Sequence, residues 1–72
     1  MTKEQEFFIY LLEYYAQYRD LPTSIVLEEL DNLELTDFIC NDMYWRYSTE
    51  AIENAFKDLD LLIAERKALS SH

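Results

Sequence analysis

The side chains that most often perform catalysis are scarce in this sequence. It has one histidine, His72, and one cysteine, Cys40. A catalytic imidazole must be held within hydrogen-bond reach of its partner, and the terminal position of His72 does not provide that. Cys40 lies between Asp37 and Asp42, which favour a neutral thiol, and we expect it to be a small buried apolar side chain. These two residues therefore predict no nucleophilic or acid–base catalysis.

Carboxylates are the remaining candidates for metal binding or catalysis. The chain has 15 acidic and six basic residues, which gives a net charge of −9. Successive helical positions point about 100° apart rather than towards one ion. A domain this small also has little interior for a substrate. Glycine is absent, which excludes phosphate-binding loops and EF-hand turns. We expect no catalytic residue, no metal, no cofactor and no enzymatic activity.

The first element that the sequence predicts is a long helix. Thr2 and Gln5 have the spacing of a capping box, and the segment that follows is free of proline and glycine up to Tyr18. Pro22 ends this helix, because the residue before a proline is pushed out of the helical region.

Two further helices are predicted in the middle of the chain. The second begins at a cap formed by Thr23 or Ser24 and runs to about residue 31, where Asn32 adopts the left-handed geometry that ends a helix. The third begins at Thr36 and covers residues 37–46, where apolar side chains recur at helical spacing.

A fourth helix is predicted to complete the fold. Ser48 or Thr49 caps it, Glu50 lies in its first turn, and it runs to about Ala68, followed by a disordered tail at residues 69–72. No segment alternates apolar and polar residues as a half-buried strand does. We therefore predict an all-α fold, in which residues 1–72 form one compact bundle of three to four helices.

The aromatic residues exceed what one small core can cover. Six of the eleven lie between Phe7 and Tyr18. The best core candidates are Phe8, Leu12, Tyr15, Phe38 and Phe56. The surplus, which we expect at a protein-binding surface, consists of Tyr10, Tyr14, Tyr18, Trp45 and Tyr47. Tyrosine and tryptophan are enriched at the centres of protein interfaces because they combine apolar area with a polar tip.

Acidic residues are concentrated between positions 22 and 35, where four acids and no bases occur. Glu28, Glu29 and Asp31 are the candidates for steering the chain towards a basic protein surface, and the alternative is that they only aid solubility. The negative charge argues against nucleic acid and anionic membranes as partners. The short apolar runs cannot span a bilayer, so we expect a soluble, cytoplasmic protein.

Four segments carry a resemblance to a known family. They are KEQEFFIYLLE at residues 3–13, DFI at 37–39, YWRYST at 44–49 and AFKDLD at 55–60. With them the chain resembles a small bacterial family of all-helical proteins of unknown function, often encoded beside a predicted ADP-ribosyltransferase-like toxin. WRYS at residues 45–48 departs from that family, which more often places a histidine before the threonine. The resemblance implies an antitoxin or immunity-like protein that binds and neutralises or regulates a partner enzyme.

Two alternatives to this function remain open from the residues alone. The chain could be a phage-type acidic inhibitor that mimics nucleic acid, with carboxylates spaced like phosphates across one face. It could also be a homo-oligomeric structural protein, in which the aromatic surplus forms the seam of a homodimer.

Overall fold

The computed structural model describes residues 2–70, which form helices joined by short turns. The elements are α1 (Lys3–Arg19), α2 (Thr23–Asn32), α3 (Thr36–Phe38), a π-helical segment (Ile39–Met43), α4 (Tyr44–Tyr47) and α5 (Asn54–Ser70). Helical backbone continues from α3 through the π-helical segment into α4, so these three make one helical stretch. No strand occurs in residues 2–70. The predicted all-α bundle is confirmed.

The limits of α1 follow from local signals. The Thr2 hydroxyl oxygen accepts a hydrogen bond from the Gln5 backbone N–H at 3.1 Å, and the Gln5 side-chain oxygen accepts one from the Thr2 N–H at 3.0 Å. The predicted capping box is therefore confirmed. At the other end, Asp20 has φ 56° and ψ 46°, and the Leu21 N–H donates to the Ala16 carbonyl at 2.9 Å. An aspartate thus takes the left-handed position that glycine usually occupies.

The predicted caps of α2 are wrong. Pro22 holds the N-cap position with extended backbone, no side chain caps the helix, and Thr23 and Ser24 lie in its first turn. Asn32 stays helical, and Glu34 instead adopts the left-handed conformation, with φ 59°. Packing determines the position of the turn at Glu34, because the next residue, Leu35, is fully buried in the core.

The third helical stretch also begins without the predicted cap. Leu35 occupies the N-cap position of α3, and the Thr36 hydroxyl donates to Asp31 Oδ1 at 2.5 Å instead of accepting a capping hydrogen bond from its own helix. The π-helical segment contains one wider turn, whose hydrogen bonds run from residue i to i+5. Its buried residues are Ile39 and Met43.

The fourth helix begins later than predicted. Ser48 is the C-cap residue of α4 and has helical backbone angles, so it is not the cap of α5. Residues 48–53 form a turn-rich connection in which Ile52 is buried, and α5 begins at Asn54. Leu69 and Ser70 belong to α5, so the predicted disordered tail is wrong for these two residues. Residues 71–72, including His72, lie outside the described part of the chain.

One apolar core joins the four helical stretches. Its buried residues are Leu11, Leu12, Tyr15, Ala16, Val26, Leu30, Leu35, Ile39, Met43, Ile52, Ala55, Phe56, Leu59 and Ile63. The core positions predicted at Leu12, Tyr15 and Phe56 are confirmed. Phe8 and Phe38 are only half-buried and pack against the edge of this core. Within residues 2–70, no helix is both long enough and apolar enough to cross a membrane.

Candidate functional site

Three tyrosines of α1 present their rings to solvent along one side of the helix. Tyr10 is 49% exposed, Tyr14 42% and Tyr18 56%. Tyr10 and Tyr14 are one turn apart, and their ring centroids lie 4.6 Å from each other. Phe7, which precedes Tyr14 by seven residues, begins the same side. From Phe7 to Tyr18 this side spans about 17 Å. We call Tyr10, Tyr14 and Tyr18, together with Trp45, the tyrosine face.

Trp45 belongs to this face through a chain of ring contacts. The Trp45 ring meets Tyr44 edge to face at a centroid distance of 5.3 Å, and Tyr44 meets Phe7 in the same way at 5.8 Å. The indole is 77% exposed. The wider turn of the π-helical segment rotates the side chains of α4 about the helix axis relative to those of α3. As a result, Tyr44 packs against Phe7 of α1 and Trp45 points to solvent.

The opposite end of the face is held by α5. The Tyr18 ring packs on Phe56 at a centroid distance of 4.8 Å, and its hydroxyl donates to Asp60 Oδ2 at 3.4 Å. The buried Tyr15 donates to Asp60 Oδ1 at 2.5 Å. Burial first, and the neighbouring Asp60 second, raise the pKa of Tyr15. Tyr15 therefore stays a neutral donor, and it fixes the Asp60 carboxylate at the edge of the tyrosine face.

The acidic residues predicted on α2 are largely engaged within the fold. Glu29 accepts a hydrogen bond from Arg19 at 2.8 Å, and Lys67 Nζ lies 3.7 Å from the same oxygen. The hydrogen bond to Glu29 raises the pKa of Arg19. Asp31 accepts a hydrogen bond from the Thr36 hydroxyl, and both Asp31 and Glu28 are exposed to solvent.

The predicted site residues do not form one surface. Arg19, which pairs with Glu29, follows Tyr10 by nine residues, so the two point about 180° apart around α1. The acids of α2 therefore lie away from the tyrosine face. Tyr47 is half-buried, and its hydroxyl donates to Asp58 of α5, which raises the pKa of Tyr47. We therefore count Tyr47 as part of the helical packing rather than of the exposed face.

Two acidic residues that the sequence interpretation did not assign border the tyrosine face. Glu6 precedes Tyr10 by one turn, and Glu13 follows it by three residues, so both flank the Tyr10 ring. Both are exposed, and neither carboxylate has an ion pair or a hydrogen bond with residues 2–70. The seven-residue spacing of Glu6 and Glu13 beside a tyrosine was the signal that could have identified them.

The other candidates for chemistry are not brought together. The Cys40 thiol is half-buried rather than fully buried, and burial raises its pKa. No three histidine, cysteine, aspartate or glutamate residues of the described chain are grouped so that they could hold a metal ion. A groove of about 180 Å³ between the third helical stretch and α5 includes Arg46, Asp58 and Glu65. In this groove Asp58 is already hydrogen-bonded to Tyr47.

Comparison with known proteins identifies the family. Residues 6–66 match the family described as "Protein of unknown function (DUF3791)", and the chain belongs to this family. No curated protein and no solved structure matches the chain. The predicted membership of a family of unknown function is confirmed, whereas a bacterial origin and a toxin gene as neighbour stay predictions.

Proposed function

We propose that this chain is a small acidic protein-binding module that docks a basic protein partner through its tyrosine face. The observation that carries the proposal is the exposure of Tyr10, Tyr14, Tyr18 and Trp45 along one side of the bundle. Exposure of four large aromatic side chains to solvent is unfavourable in a free monomer. The same side chains are favourable at the centre of an interface, where truncation of one reduces the binding free energy by about 2 kcal/mol or more.

The charge of the chain favours a basic partner over a second copy. Two chains that each carry −9 repel one another, and this repulsion opposes a homodimer built on this face. The tyrosine face is bordered by the carboxylates of Glu6, Glu13 and Asp60, so a partner surface with basic residues would complement it. Such complementarity mainly accelerates association and suppresses wrong partners.

The partner that we propose is an ADP-ribosyltransferase-like enzyme encoded beside the gene of this chain, in a bacterial cytoplasm. The chain would act as an antitoxin or immunity-like protein that neutralises or regulates this enzyme. Support for this finer part comes from the resemblance of residues 3–13, 37–39, 44–49 and 55–60 to a family whose members often have such neighbours, and the acidic aromatic surface is compatible with it.

Co-expression with the enzyme encoded beside the gene tests the proposal. We expect the two proteins to co-purify and the chain to relieve growth inhibition by the enzyme. Tyr14→Ala and Trp45→Ala should speed dissociation several-fold with little change in the association rate. Both side chains are exposed, so thermal melts of these variants should stay close to that of the wild type.

Ile25→Ala is the matched control, because Ile25 is 47% exposed and lies beside Glu29, away from the tyrosine face. It should dissociate like the wild type. Failure of the two proteins to form a complex, or a complex that is equally insensitive to Tyr14→Ala, Trp45→Ala and Ile25→Ala, would overturn the proposal.

A further inference from the structure

We infer that the tyrosine face binds arginine side chains of its partner, whose guanidinium groups stack on Tyr10 and Tyr14 and pair with Glu6 and Glu13. This inference rests on the proposed function and specifies the chemistry by which the partner is recognised.

The arrangement on α1 provides both parts of an arginine site. Glu6 and Tyr10 are four residues apart, Tyr10 and Glu13 are three apart, and such pairs are neighbours on a helix surface. The Tyr14 ring is tilted by 50° to that of Tyr10, so the pair offers ring faces in two directions. Because the Glu6 and Glu13 carboxylates have no partner within residues 2–70, both are available to an incoming cation.

Arginine fits this arrangement better than lysine. A guanidinium is planar and weakly hydrated, so it stacks on an aromatic ring while its charge stays close enough to pair with a neighbouring carboxylate. A lysine ammonium is a compact and strongly hydrated charge, and it gains less from the ring. We therefore expect the tyrosines to supply the preference for arginine and the glutamates to supply charge attraction common to both.

The fold itself contains the same combination of side chains. The Arg19 guanidinium carbon lies 5.6 Å from the centroid of the Tyr15 ring, and its Nη1 lies 2.8 Å from Glu29 Oε1. A tyrosine ring and a glutamate therefore hold one arginine on the inner side of α1. The outer side presents the same two residue types, in duplicate, with no arginine of the described chain between them.

The spacing of the glutamates also predicts the geometry of the partner. Seven helical residues correspond to a rise of about 10.5 Å between Glu6 and Glu13. Two arginines seven residues apart on a partner helix have the same separation. A helix that carries such a pair is therefore the form of partner that fits the face.

Synthetic peptides test the inference on the intact chain. The probe is an alanine- and glutamine-based helical peptide of about 14 residues with two arginines seven positions apart, and the matched peptide has lysines instead. By isothermal titration calorimetry at low salt, we expect the arginine peptide to bind about fivefold more tightly than the lysine peptide. Glu6→Gln combined with Glu13→Gln should weaken both peptides equally and flatten their salt dependence.

The tyrosine variants decide the outcome. Tyr10→Ala combined with Tyr14→Ala should remove the preference for arginine, whereas Tyr14→Phe should retain it because the ring remains. Glu28→Gln removes an exposed acid of α2, outside the tyrosine face; it is the control and should bind like the wild type. Equal binding of the two peptides, no binding of either, or an arginine preference that persists without both rings would overturn the inference.

The same experiments separate this inference from the proposed function. If the partner enzyme binds in a Tyr14-dependent way but the chain does not distinguish the two peptides, the arginine inference fails alone. If the arginine peptide binds through the two rings but the enzyme does not bind, the proposed function fails alone. If the free chain sediments as a dimer and the Tyr14→Ala variant sediments as a monomer, a second copy of the chain covers the tyrosine face. This result would overturn both the arginine inference and the proposed function.

Discussion

Replacing Tyr15 by phenylalanine removes one hydroxyl group while keeping the ring that fills the core. The Tyr15 side chain is 1% exposed, and its hydroxyl donates to Asp60 Oδ1 at 2.5 Å. A hydrogen bond to a charged group contributes about 1.5–3 kcal/mol to stability. Asp60 is exposed, so water can replace the lost donor, and we expect a loss near the lower limit of about 1.5 kcal/mol. For a domain of this size such a loss lowers the melting temperature by about 6–12 °C.

Thermal unfolding followed by circular dichroism measures this effect, and Tyr18→Phe is the matched control. The Tyr18 hydroxyl lies 3.4 Å from the same carboxylate and its side chain is exposed, so its removal should shift the melting temperature by less than about 2 °C. The loss in Tyr15→Phe should also shrink in an Asp60→Ala background, because the acceptor is then missing. Equal melting temperatures for Tyr15→Phe and Tyr18→Phe would refute the idea that the Tyr15–Asp60 contact stabilises this end of the face.

Three further predictions concern the stability of the fold. Because burial and Asp60 raise the pKa of Tyr15 above its ordinary value of 10.0, the folded chain keeps a proton that the unfolded chain releases. The urea midpoint should therefore fall as the pH rises above 10, and it should fall less in Tyr15→Phe. Arg19→Ala removes the partly exposed ion pair with Glu29 and should cost about 1 kcal/mol in urea denaturation, with a smaller loss at high salt. Glu34 has a left-handed backbone conformation, which costs a non-glycine residue about 1–2 kcal/mol. Glycine adopts this conformation without that cost, although its larger loss of conformational entropy on folding offsets part of the gain. Glu34→Gly should therefore raise the melting temperature measured by calorimetry by a few degrees.

Sequence-local signals determined the helical class and the limits of α1. The capping box at Thr2 and Gln5 involves side chains three residues apart, so it needs no tertiary contact. Pro22 acts on its immediate neighbours in the same way. Helical spacing of apolar residues also identified the core positions Leu12, Tyr15 and Phe56, because one side of each helix must be buried. An all-α bundle could therefore be predicted from sequence alone.

The interior ends of the helices depended on packing. Ser24, Asn32 and Ser48 have the chemistry of caps or helix ends, but the chain turns where Leu35 and Ile52 can enter the core. Burial of a large apolar side chain contributes about 1.5–3 kcal/mol, whereas a cap contributes about 1 kcal/mol. Tertiary burial therefore overrides the local signal at these positions.

The composition of the candidate surface was decided by tertiary structure to an even greater extent. The sequence determined that aromatic residues and acids are in surplus, and it identified Tyr10, Tyr14, Tyr18 and Trp45 as candidates for exposure. Only the fold showed that Glu29 is paired with Arg19 on the far side of α1, and that Glu6 and Glu13 are the acids beside the rings. Net charge and aromatic count are properties of the chain, whereas the side on which a charge lies and the partner it has are set by how the helices pack.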